Sequence, residues 1–272
     1  MIKDILVRLS GSDQDNALIE YASSVARQFD AHLTGLYVHV MPEVLGITDP
    51  TGSSFLQELI ADTANRSLRH MASLQERFAT LDVRNDLRRV ELYPHEVVEV
   101  LAFEARAADL FIDQLPYGDA SDRGGEAVLF GSGHACLFIP ADEPVMTRFA
   151  TIAVGSNGSR ESARAIEAAI PFMAAADTVI VIAVAEAKPA ALQPAIEADI
   201  GRYLSRHGIA AEVRTVASSG PPGSALLGQA VAAGADMLVI GGYGHSRWRE
   251  LVLGGTTRHI LSKSPIPVLA AH

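Results

Sequence analysis

Short, mostly unbroken apolar runs recur along the chain, and between them apolar residues return every three or four positions. The runs at 5–9, 32–40, 85–91 and 110–113 predict strands, and the periodic stretches at 15–29 and from 94 through 107 predict helices. In the first helix Ala17, Tyr21, Val25 and Phe29 mark the apolar face, and Ser12 or Asp13 is placed to cap it. A loop at 46–54, rich in Gly, Thr, Ser, Asp and Pro, precedes a long helix predicted over 55–81. Its apolar set is Leu56, Ile60, Leu68, Met71 and Leu74. A polar loop follows at 117–125. Leu129-Phe130-Gly131-Ser132-Gly133 then runs straight into a short strand at 136–139, with no room for a helix before it.

The pattern then restarts. Ile5, Val7, Gly11, Ser12, Ile19, Glu20 and Ala22 recur 147 positions later as Ile152, Val154, Gly158, Ser159, Ile166, Glu167 and Ala169. Further on, Pro94 matches Pro222 at an offset of 128, and Ala108-Asp109 matches Ala235-Asp236 at 127. The drop places an insertion of about twenty residues in the first copy, near 44–80. A period this long means two duplicated domains rather than a solenoid. The expected division is 1–145 and 146–272, with the joint around Asp142-Glu143-Pro144. Strands alternating with helices, and all-apolar runs such as Val179-Ile180-Val181-Ile182, imply α/β domains with a doubly wound parallel sheet.

Candidate chemistry gathers in the second copy, after the apolar run Met237-Leu238-Val239-Ile240. Gly241-Gly242-Tyr243-Gly244-His245-Ser246 leads, nine residues after Gly244, to Gly254-Gly255-Thr256-Thr257, where a helix is predicted to start. A strand, a glycine turn and a helix N-terminus together make an anion site. The spacing is neither the Walker nor the Rossmann pattern. Charge agrees with an anion. The chain carries a formal net charge of −10, yet Arg247, Arg249, Arg258 and Lys263 oppose only Glu250 in this stretch, with His245 and His259 nearby. A solvated helix face would read the same on charge alone. The turn Gly155-Ser156-Asn157-Gly158 also follows a strand, so both turns lie on the edge where such sheets bind ligands.

The acidic balance argues against nucleic acid as a partner, and no apolar run approaches the length of a membrane span. The single cysteine, Cys136, excludes an intrachain disulfide and fits a cytoplasmic protein. Its apolar surroundings make it a buried thiol rather than a nucleophile. The nine histidines show no metal-ligand spacing, so no metal site and no catalytic residue are expected.

These residues resemble the universal stress protein family in its tandem form, most strongly in Ala-Asp-Met-Leu-Val-Ile-Gly-Gly-Tyr-Gly-His-Ser from Ala235 and in the closing Ile266-Pro267-Val268-Leu269. The resemblance implies two adenine nucleotide alpha hydrolase-like domains. It implies ATP or a related adenine nucleotide as ligand. Separately, Glu250 and Asp236 are carboxylates that could hold an accompanying Mg²⁺. Gly241, Gly244 and Gly254 match the family's phosphate-loop glycines. Gly255 stands where the family has Ser or Thr, followed by Thr256 and Thr257. Asn157 replaces an Asp that contacts adenine, Val184 matches a base-packing Val, and Gly155, Ser156, His245 and Ser246 complete the expected site. In the first copy Ser10 stands at the Asp position and Gln114-Leu115-Pro116-Tyr117 replaces the Gly-x-x-Gly. That copy reads as degenerate.

The resemblance also implies pairing of last strands, here 137–139 with 266–269, as an intramolecular pseudo-dimer, with homodimerisation and an unidentified protein partner open. The leading reading is a sensing or regulatory nucleotide binder with slow or no hydrolysis. The alternatives are a protein–protein interaction module with a vestigial site, and an adenylating or nucleotide-hydrolysing enzyme.

Overall fold

Ten strands form one sheet in the order β3-β2-β1-β4-β5-β10-β9-β6-β7-β8. The computed structural model describes residues 1–43, 50–116, 124–141, 145–146, 148–185, 193–217, 220–242 and 255–272. The first half runs β1 (Asp4–Leu9), α1 (Asp15–Phe29), β2 (His32–Val40), α2 (Pro50–Ala79), β3 (Asn85–Leu92), α3 (Val97–Glu104), β4 (Leu110–Gln114), α4 (Gly124–Gly131) and β5 (Ala135–Ile139). The second runs β6 (Thr151–Ser156), α5 (Arg160–Ala175), β7 (Thr178–Ala185), α6 (Gln193–Arg206), β8 (Ala211–Ala217), α7 (Pro222–Ala232), β9 (Met237–Gly241), α8 (Thr256–Lys263) and β10 (Val268–Ala271).

The two halves share one strand order, and every pairing is parallel except the central one. There β10 meets β5 antiparallel, Leu269 opposite Leu137. The expected pairing of last strands is present, and it covers two edges that would otherwise be open. The fold is thus two tandem doubly wound domains joined into a continuous sheet. Because strand side chains alternate, Ile5, Val7 and Leu9 belong to the core on one face, which α1, α2, α5 and α6 cover. Leu6, Phe111 and Phe138 pack with α3, α4, α7 and α8 on the other. Phe172 is 1% exposed and lies edge-on to Phe29 at 4.9 Å and to Phe149 at 5.8 Å, so aromatic packing also joins the halves. A core ring of this kind contributes about 3–5 kcal/mol against truncation to Ala.

The repeat is visible atom by atom. Asp109 Oδ2 accepts the N–H groups of Lys3 and Asp4, while Asp236 Oδ2 accepts those of Ala150 and Thr151. Each aspartate ties the start of one strand to the start of its neighbour.

Three expectations need correction. A helix, α4, does precede the last strand of the first half, beginning at Gly124 inside the expected polar loop. Val128 and Leu129 bury it against α3 and the sheet, so tertiary packing makes a helix that local propensity does not announce. Next, α2 starts at Pro50, within the expected loop at 46–54. Proline's fixed φ suits a first helical turn. Along that helix Leu74 and Phe78 are buried, whereas Ile60 and Leu68 are exposed, because Ser67 and His70 are turned toward a cleft instead. Finally, neither Ser12 nor Asp13 caps α1. The N-cap is Gln14, without a side-chain bond, and Asp15 folds back to accept the N–H groups of Ser10 and Gly11.

Candidate functional site

In the second half β6, β7 and β9 end at one edge of the sheet, and the helices that follow leave a crevice between them. The cavity, about 630 Å³ with its open mouth, is lined by Gly155, Ser156 and Asn157 after β6, Val184 on β7, Gly241 at the end of β9 and Thr256-Thr257 opening α8. Seven of the expected site residues therefore converge on one cavity. Gly255 is the N-cap of α8, and a glycine brings no side chain to satisfy the first-turn N–H groups. Gly244, His245, Ser246 and Gly254 lie outside the described residues, as do Arg247, Trp248, Arg249 and Glu250. Arg258 and Lys263 are exposed on α8.

The described glycines have packing reasons. A Cβ on Gly241 would meet Ser162 N at 2.5 Å and the Glu161 carbonyl carbon at 2.7 Å, so this glycine lets β9 end against the N-terminus of α5. Gly242 is not a free donor, since its N–H already bonds Ala271 O at 2.7 Å. Its face touches Leu129 of the first half, where a Cβ would come within 2.9 Å. At Gly155 the absent Cβ makes room for Leu226. Gly223 allows α7 to approach the Thr256 backbone, and Ser224 Oγ and His259 Nε2, 3.0 Å apart, tie the same two helices.

Sequence reading missed Ser159, Ser162, Pro222 and Leu226, which also line the cavity. Ser159 caps α5, its Oγ accepting Ser162 N–H at 3.1 Å, and Asn157 Oδ1 accepts Ser159 N–H at 3.0 Å. The turn is thus preorganised by its own side chains. The signal was a Ser three positions before another Ser at the start of an apolar periodicity. Ile182, Val184 and Leu226 supply an apolar wall. The combination is a flat apolar slot beside hydroxyls and a helix N-terminus without a side-chain cap, which can hold an apolar ring at one end and an anion at the other.

No charged side chain is among the described residues that line the crevice; Glu161, at the start of α5, adjoins the lining residue Ser162 in sequence. Burial would raise Glu161, but its ion pair with Arg160, its own backbone N–H and Ser159 together hold it below the usual carboxylate range. Asp236 does not belong here. It sits at the opposite end of β9 with its carboxylate engaged by two backbone N–H groups, so it cannot serve a metal beside the glycine turn. Among the described residues no group of three His, Cys, Asp or Glu is placed to hold a metal ion, and no helix is long and apolar enough to cross a membrane. Cys136 is fully buried, which pushes its thiol well above the usual range, with Asp113 adding to the shift.

At the matching place in the first half, Arg8 stands where the second has Gly155, and Asp113 where it has Ile240. Arg8 Nε bonds Asp113 Oδ1 at 2.9 Å, and their side chains are 18% and 3% exposed. The anion end of that cleft is filled by the chain's own ion pair.

The model of the universal stress protein family matches residues 148–272. A crystal structure of a universal stress protein from Archaeoglobus fulgidus superposes with a TM-score of 0.78 at 16% identity, covering 98% of this chain and 96% of that one. A structure assigned to the same family from Pseudomonas aeruginosa gives 0.63 at 15%, covering 99% and 93%. At these identities the likeness is one of fold. A universal stress protein of Synechocystis is 56% identical over 34 residues, which span only 12% of this chain and 12% of that relative. Residues 148–272 thus form a universal stress protein domain, in a chain long enough to fit that family's two-domain form.

Proposed function

We propose that the chain binds ATP or a related adenine nucleotide in the cavity of its second half and serves the stress response as a sensor or regulator in the cytoplasm. The observation that carries the reading is the convergence of Asn157, Val184, Gly241 and Thr256-Thr257 on one cavity at the N-terminus of α8, whose N-cap Gly255 has no side chain. The base would lie against Val184 and Leu226, Asn157 would offer its amide to the ring edge, and the phosphates would face the first turn of α8. Hydrolysis would be slow or absent, because the glycine loop carries no Walker-type lysine to stabilise transferred charge and only His245 beside it as a candidate base. The reading divides the chain at 145/146 and treats the first half as a copy that has lost the nucleotide site. Mg²⁺ would then reach the complex through the phosphates, and a second copy of the chain or another protein would read the loaded state.

Calorimetric titration of ATP against the wild type and Val184→Trp tests this. One site per chain is expected in the wild type, with at least tenfold weaker binding once the indole fills the slot. Unchanged affinity in Val184→Trp would sink the proposal.

A further inference from the structure

We infer that the cleft of the first half is a second binding site, for an uncharged, ring-bearing, hydroxylated small molecule of nucleoside size, and that the Arg8–Asp113 pair excludes phosphate-bearing ligands from it. This stands on different residues from the second-half site and does not depend on nucleotide binding there.

The cleft, about 1730 Å³ with its open mouth, lies between the carboxyl ends of β1, β2 and β4, with α2 along one side. Strand register shows which features are kept. Val7 pairs with Gly35 as Val154 pairs with Val181, so Val38 occupies the place of Val184. Val98 and Pro94 line the cleft where Leu226 and Pro222 line the second cavity. The slot for a flat ring survives.

The anion seat does not. A Cβ on Gly125, in the first turn of α4, would meet Asp113 Oδ2 at 2.9 Å, and one on Gly124 would meet Arg8 Nη1 at 2.7 Å. The Asp113 carboxylate thus lies against the first turn of α4, whereas Gly255 brings no side chain to the N-terminus of α8 in the second half. A second anion would face it at close range.

The other charges lining the cleft are also engaged. Asp15 accepts two backbone N–H groups and the Ser10 hydroxyl, and Arg66 pairs with Asp62. Beside these paired charges, the cleft presents polar side chains. His39 is only 8% exposed, lines the cavity, and its ring makes no hydrogen bond to a described residue. Burial first, then Arg89 and His70, hold His39 below the ordinary imidazole value against the opposing pull of Glu91. A neutral imidazole brings one donor and one acceptor, and buried polar groups of that kind ask for a partner. Hydroxyls answer both functions. His70, Ser67, Thr63 and Gln14 line the same wall.

The test uses the full chain and the histidine ring signals in carbon-correlated NMR, with His39→Gln and His70→Gln assigning them. Adenosine is the uncharged probe and adenosine monophosphate its charged counterpart. Adenosine should shift the His39 and His70 signals saturably, the monophosphate at least tenfold more weakly. Val98→Trp should abolish the adenosine shift. Asp113→Asn removes the carboxylate that faces Arg8 and should reverse the preference toward the monophosphate. The paired variant Arg8→Gln/Asp113→Asn removes both charges together and should keep the adenosine response, which guards against misfolding of the single variant. No His39 shift with adenosine, an equal shift with the monophosphate, or an adenosine shift that survives Val98→Trp would overturn the inference. The Asn157 amide, followed in the same samples, reports the second-half site separately, so its silence would count against nucleotide binding there and leave this site standing.

Discussion

The two clefts occupy the same place in two copies of one fold, and they differ most where charge is concerned. The first holds Arg8, Asp15 and Asp113 where the second holds Gly155, Ser162 and Ile240. In the first, an ion pair built into the sheet fills the position before any ligand arrives. In the second, the helix N-cap is a glycine without a side chain, and the described lining brings hydroxyls and no charged group. A duplicated sheet edge therefore does not imply a duplicated ligand. Ligand class follows from whether the compensating charge belongs to the protein or must be brought in.

The largest expected effect comes from breaking the pair. Asp113→Asn leaves a mostly buried guanidinium without its carboxylate and should cost about 3 kcal/mol in urea unfolding. The double change Arg8→Gly/Asp113→Ile, which copies the second half, should recover most of that loss. If it does not, the two positions are not interchangeable parts of one design. Next comes Gly241→Val. Its Cβ would press on helix backbone, which cannot rotate aside, so about 2–3 kcal/mol of overpacking is expected, read from the same curves. An unchanged midpoint would show that α5 does not approach as closely as described.

A smaller loss, about 1 kcal/mol, should follow Ser159→Ala, which removes the cap of α5. Ser12→Ala at the matching first-half position caps nothing and should leave the midpoint within about 0.5 kcal/mol. The smallest effect concerns pH. His39 has a folded value below its ordinary one near 6.5. The unfolded chain therefore takes up the proton first as pH falls. The stability tied to the neutral ring is whole above about 6.5 and is lost as pH drops toward the folded value. His39→Gln should flatten unfolding free energy over that acid window, and an unaltered slope would contradict the burial of the ring.

Much of this architecture can be read from the chain. The apolar runs place the strands, and the constant offset of 147 exposes the duplication before any fold is known. Helix α4 escapes because glycines begin and end it, and only packing of Val128 and Leu129 makes it form. The true face of α2 escapes because Ile60 and Leu68 suit an apolar stripe yet point outward. In the candidate cavity, Gly241 is legible from the glycine turn that ends its strand, and Val184 only through the family resemblance. Ser159 and Ser162 read only as helix-start residues. The Arg8–Asp113 pair bridges 105 positions, so neither residue signals the other. The available hint is one charge inside each of two apolar strands, Ile-Leu-Val-Arg-Leu and Leu-Phe-Ile-Asp-Gln, which parallel pairing then sets side by side.

The central claim is that phosphate-bearing adenine nucleotide enters the second cleft and not the first. Amide hydrogen exchange with and without saturating ATP addresses it most directly, since each segment reports for itself. Protection is expected across 155–162 and 255–260, with 8–15 and 110–128 exchanging as in the free protein. Protection confined to the first-half segments, or equal in both halves, would contradict the account.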